Sequence, residues 1–133
     1  MMMKSMNYDP LQAPDPIEWN GRDEDERMAA VEDYHRRKHV PRDRLSAHAT
    51  IHTVVENQIA MGDGSPAARA VTRLIAEGLD RHEAIHAIGS VLSRHMFNAL
   101  KGHYPPNTDL GVLYNQEVEQ LTAKSWLESA GGK

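Results

Sequence analysis

Asp43-Arg44-Leu45-Ser46-Ala47-His48-Ala49-Thr50-Ile51-His52-Thr53-Val54-Val55-Glu56-Asn57-Gln58-Ile59-Ala60 is the stretch on which the fold turns. His48, Ile51, His52, Val55 and Ile59 stand at i, i+3, i+4, i+7 and i+11, one inward face of an α-helix. The spacing predicts a helix from about Asp43 to Ala60 with two imidazoles on its apolar side.

Reading outward from that helix, Gly62-Asp63-Gly64 ends it, and Ser65-Pro66 opens the next as cap and first helical residue. That third helix carries Val71, Leu74 and Ile75 and stops at Gly78. Asp80 and Glu83 have capping-box spacing and open a fourth, through Ile85, Ile88, Leu92 and Met96 to about Leu100, with Gly102 as terminator. Tyr104-Pro105-Pro106 makes a turn. Asp109 then starts a last helix with Leu113, Leu121, Trp126 and Leu127, ending before Gly131. On the other side, Asp23 and Glu26 cap a first helix that carries Met28, Val31 and Tyr34 or His35 and ends near Lys38, because Pro41 disfavours helix in the residue before it.

Pro10, Pro14 and Pro16 remove backbone donors, so residues 1–20 read as an extended arm, docked by Tyr8, Leu11, Ile17 and Trp19. The expectation is an all-α protein: a compact antiparallel bundle of about five helices spanning residues 21–133 as a single domain behind that arm.

The 133 residues suffice for one modest core. Aromatic residues are 5% of the chain, so aliphatic side chains and methionine must fill it, which favours helix packing over a β-sandwich. Net charge is −4, and the densest basic run, Arg36-Arg37-Lys38 with Arg42 and Arg44 beyond, falls around a helix end where it complements the dipole. Acidic balance and sparse aromatics argue against nucleic acid as a partner. No stretch approaches transmembrane length, and the proline-rich, acidic start is unlike a signal peptide, so a cytoplasmic protein without a membrane partner is expected. Cysteine is absent, so any metal has nitrogen and oxygen ligands.

Eight histidines would give about half of one i, i+4 pair by chance; three occur. His35 and His39 straddle a helix end, whereas His48–His52 and His82–His86 lie inside helices. Residues four apart project together, with Cβ atoms about 5–6 Å apart, so both imidazoles can reach one cation. Two such helices side by side bring four nitrogens to one point. Glu56 continues the His48–His52 row by a turn, and Glu83 adjoins His82, making both candidate carboxylate ligands. Glu32 and His35 form a Glu-x-x-His pair of the kind used in di-iron bundles, which leaves open whether they join the site. Capping equally explains Glu83, and His95 and His103 read as surface or helix-end groups.

His82-Glu83-Ala84-Ile85-His86 is also HExxH, in which a glutamate serves as general base on metal-bound water. Gly89 fits a metzincin continuation, but Leu92 stands where its third histidine belongs. Asn115 and Glu119, the latter 33 residues after His86, match a gluzincin helix loosely. No segment reads as the edge strand that aligns a peptide substrate.

Across about residues 45–100 the chain resembles a family of small bacterial proteins with a domain of unknown function, in which a His-x-x-x-His helix runs into Glu-Gln and HExxH follows on a later helix. The likeness is carried by His48, His52, Asn57-Gln58 and His82-Glu83-Ala84-x-His86, with Asn57 where the pattern has Glu and Glu56 one residue earlier. It implies linked histidine pairs and brings no activity with it.

Together these readings predict a metal-binding helical protein, mono- or dinuclear, with His48, His52, His82, His86, Glu56 and Glu83 as ligands. Zinc is the first expectation, with iron, nickel and manganese chemically admissible. The alternatives are a metal-free interaction module with a buried histidine network, and a metallohydrolase with Glu83 as catalytic base. A homodimer stays open as a further partner.

Overall fold

The structure is a computed structural model that describes residues 7–129; the part of the expected arm before Asn7 lies outside them. Among the described residues the chain is all helical, with seven helices and no strand.

Local chemistry sets most of the boundaries. Asp23 accepts from the Glu26 amide at 2.8 Å and Glu26 reaches back to the Asp23 amide at 3.2 Å, a complete capping box at the start of α2 (Glu24–Arg37). α3 (Arg42–Ala60) follows Pro41 and has no side-chain cap. Ser65 caps α4 (Pro66–Ala76), and Asp80 caps α5 (Arg81–Leu100). Gly78 and Gly102 take φ of 111° and 72° just past α4 and α5, the left-handed conformation that releases a chain from a helix at least cost to glycine.

Two expectations are corrected. The proline-rich arm is not extended throughout: Pro16–Gly21 forms α1, with the Asp15 carboxylate accepting from the Ile17 amide at 3.1 Å and Pro16 at a first-turn position that needs no donor. The last helix is two, α6 (Leu110–Gln120) and α7 (Ala123–Ser129). Leu121 turns extended between them, and Thr122 and Ser125 exchange amide-to-hydroxyl bonds of 3.0 and 3.1 Å that start α7 afresh.

α3 is the hub, packing against α1, α2, α4 and α5, while α4 and α5 also meet α6. One cluster of buried residues joins Val55, Val71, Leu74, Ile85, Ile88, Tyr114 and Val118 across α3–α6. A second gathers Tyr8, Trp19, Ala30, Val31 and Ala49 under the arm. Of the four residues expected to dock the arm, Tyr8 and Trp19 are buried and Leu11 and Ile17 are exposed. The Trp19 indole N–H donates to Asn57 at 2.8 Å, and Arg27 donates to the same oxygen at 3.0 Å, so Asn57 ties α1 and α2 to α3. Its neighbour Gln58 accepts from the Tyr114 hydroxyl at 2.5 Å, tying α6 to α3.

Candidate metal centre

Histidines from three helices converge where α2, α3 and α5 meet. His48 and His52 project from α3 with stacked rings 4.8 Å apart, and His82 and His86 from α5 at 4.4 Å. Across the helix pair, His52 is 4.8 Å from His86 and 5.4 Å from His82, and His48 is 5.4 Å from His86. His35 comes in from α2, 4.4 Å from both His48 and His52. The tightest set is His35, His48, His52 and His86, whose ligand nitrogens all lie within 4.8 Å of one another. His82 stands at the edge of this group, against Tyr34 at 5.8 Å and His35 at 6.2 Å.

The helices permit this convergence through Gly89, one turn after His86. A Cβ there would sit 2.9 Å from Ile51 Cγ2, so only glycine lets α3 and α5 approach this closely.

Hydrogen bonding leaves the rings electronically ready for a cation. The Val31 carbonyl lies 2.7 Å from His35 Nδ1 and can only accept, so Nδ1 carries the proton and Nε2 keeps its lone pair toward the cluster. Nε2 of His35, His52, His82 and His86, together with Nδ1 of His52, are buried without a hydrogen-bond partner in the protein. At about 1–3 kcal/mol for each unsatisfied group, five such atoms rival the whole stability of a small domain, about 5–15 kcal/mol. Among the described residues no hydrogen bond joins one of these five rings to another.

Burial depresses the basicity of all five rings. The other histidines add to this at His48, His52, His82 and His86, while the Val31 carbonyl opposes it at His35 and Asp80 and Glu83 oppose it at His82 and His86. His48 is pushed down to about 4, first by burial and then by the charges His35 and His86 would carry. His52 is lowered by burial and by all four other histidines. His35, His82 and His86 move down as well, burial being the leading cause in each. The cluster is therefore neutral at physiological pH, the form in which imidazole binds metal.

The two carboxylates predicted as ligands are engaged elsewhere. Glu56 is buried, and both oxygens are taken: Oε1 by Arg81 at 2.7 Å, Oε2 by Arg81 at 2.8 Å and by the Tyr8 hydroxyl at 2.6 Å. Arg81 also donates to the Pro10 carbonyl at 3.0 Å, so this pair fastens the arm across α3 and α5. Burial, then Glu56, raise the Tyr8 hydroxyl well above its usual range. Glu83 does not close the capping box; its Oε1 accepts the Trp126 indole N–H at 2.6 Å. Glu32 pairs with Arg36 at 3.1 Å on the outside of α2, while His39 is exposed at φ 65°.

Other expectations change with the fold. Glu119 bonds Arg69 of α4 at 2.5 Å, a contact outside the histidine group, so the gluzincin match does not supply a ligand. Arg36 and Arg37 are paired with Glu32 and Asp33, which breaks up the basic run. His95 is buried rather than at the surface, held by Tyr104 at 2.6 Å and Glu117 at 2.9 Å; burial, then Arg94, lower its basicity. His103 is exposed, as read.

A cleft of about 380 Å³ opens beside the cluster, with His48, His52 and His86 in its wall. Among the described residues no helix is long and apolar enough to cross a membrane. No protein-family model, no curated protein and no solved structure matches this chain.

Proposed function

We propose that this protein binds a divalent transition metal, zinc first, through His35, His48, His52 and His86, with His82 as an adjoining fifth imidazole. The observation that carries the reading is the convergence of four neutral ring nitrogens from three helices, within 4.8 Å of one another and mostly without partners of their own. A tetrahedral ion with bonds of about 2.0–2.1 Å wants its nitrogens about 3.4 Å apart, a closure within reach of small side-chain rotations. The donor set narrows the choice of ion. With Glu56 held by Arg81, the shell is all imidazole, which suits zinc, nickel or iron and disfavours manganese, an ion of oxygen-rich sites.

A metal-free module has less support, because its buried rings would lack partners. Peptide hydrolysis gains none from a chain without a strand among the described residues. The test is elemental analysis of protein purified without a histidine tag, followed by chelator treatment and thermal melting. One ion per chain and a lower melting temperature after stripping are expected. A His52→Ala, His86→Ala double variant should fold and lose the ion. Unchanged occupancy in that variant refutes the ligand set, and wild-type protein that takes up no metal refutes the function.

A further inference from the structure

The cleft beside the histidines has a composition that selects its occupant. Arg44, Ala47, His48 and Ile51 line it at i, i+3, i+4 and i+7 on α3, and His86, Gly89, Ser90 and Ser93 line it at the same spacing on α5. The small residues of α5 leave the space open, and Trp126 of α7 forms a further wall with Ile85. Its volume falls within the range of small-molecule sites, about 300–1,000 Å³.

The charge of this cleft has one sign. No carboxylate lines it, and the Arg44 guanidinium, on the exposed side, makes no ion pair or side-chain hydrogen bond among the described residues. Glu83 is not in the lining; it accepts the Trp126 indole N–H, and its charge, with that of Asp80, reaches the cleft at His86 from behind. Neutral imidazoles leave a bound divalent cation with its full charge, so cation and arginine together call for a negative ligand. Ile51, Ile85 and the Trp126 ring supply the apolar surface that a bare inorganic anion would not use.

The geometry points to a binding site for a small organic carboxylate, its anionic group between the metal and Arg44 and its apolar body against Ile51, Ile85 and Trp126. The inference rests on the metal reading above and extends it to the ligand. His48, His52 and His86 present the ion to the cleft while His35 holds it from α2, so a carboxylate oxygen entering from the cleft would be a fifth ligand, an expansion of the tetrahedral shell that zinc accepts.

The experiment is calorimetric titration of untagged, zinc-loaded protein with benzoate, acetate and benzamide, after zinc has been measured in the same samples. Benzoate should bind one per chain, at least about tenfold tighter than benzamide, which lacks the charge, and acetate, which lacks the body. Arg44→Gln should weaken benzoate by about tenfold with zinc content unchanged. Benzamide binding as tightly as benzoate, or undiminished benzoate affinity in Arg44→Gln, overturns the proposal while leaving the metal reading intact. Samples that take up no zinc overturn the metal reading itself, and the ligand inference falls with it.

Discussion

Glu56 shows how a residue's neighbour in space decides its role. Its spacing from His52 marks it as a ligand, yet its carboxylate is closed on all sides by Arg81 and Tyr8. The competing partner lies 25 residues away in sequence, and spacing along one helix carries no record of it. His35 is the converse. Its place near the end of α2 gave the His35–His39 spacing little weight, but α2 packs on α3 and delivers its ring to the cluster. The pairs on α3 and α5 were legible because both members of each share one helix face. Glu56→Gln separates the two roles: removing one charge from a buried pair should destabilise the protein by about 3–5 kcal/mol in denaturant titration. Metal stoichiometry should not change. Loss of metal from the folded variant would restore Glu56 as a ligand.

Helices are legible in the sequence where punctuating residues and the apolar period agree, and hidden where a breaker doubles as a starter. Asp15-Pro16 carries the signal for α1, a capping carboxylate followed by proline at a first-turn position, but the surrounding prolines outweigh it when taken as breakers. The break between α6 and α7 rests on the Thr122–Ser125 exchange, within a stretch whose apolar residues continue at helical spacing. The burial of His95 is likewise hidden from helix periodicity: it depends on the 101–109 turn bringing Tyr104 over it and α6 bringing Glu117 to it. At this scale the contact between α3 and α5 is the decisive one, and Gly89 sets its closeness. Gly89→Ala puts a methyl 2.9 Å from Ile51 Cγ2, an atom of a stiff β-branched side chain. Overpacking of this kind should cost about 1–3 kcal/mol and, by separating the two histidine pairs, weaken metal binding. Equal metal affinity in the variant would mean that helix spacing does not govern the site.

The molecule as a whole is a helical frame with an arm strapped across it by Tyr8, Pro10 and Trp19, with a cluster of five buried and half-buried imidazoles and one buried ion pair, Glu56–Arg81, inside it. All-helical character and the paired histidines could be read from the sequence; the arrangement of α2 around the pairs, the strap and the cleft are products of packing. The imidazoles also give the metal-free protein a pH dependence with a definite sign. Their folded basicity is lowered from the ordinary 6.5, to about 4 for His48, so the unfolded chain binds more protons within that window. Stability of the metal-free protein is therefore full above about pH 6.5 and falls as pH drops toward 4. Melting temperatures across that range should decline, and more gently in a His48→Ala, His52→Ala variant; a flat profile in the wild type would contradict the burial of neutral rings. The most direct measurement of the central claim is anomalous diffraction at the zinc edge from crystals of zinc-loaded protein. A single strong peak bounded by the rings of His35, His48, His52 and His86 is the predicted result. A peak only at surface sites such as His39 or His103, or rings of the cluster bonded to one another with no peak between them, would contradict it.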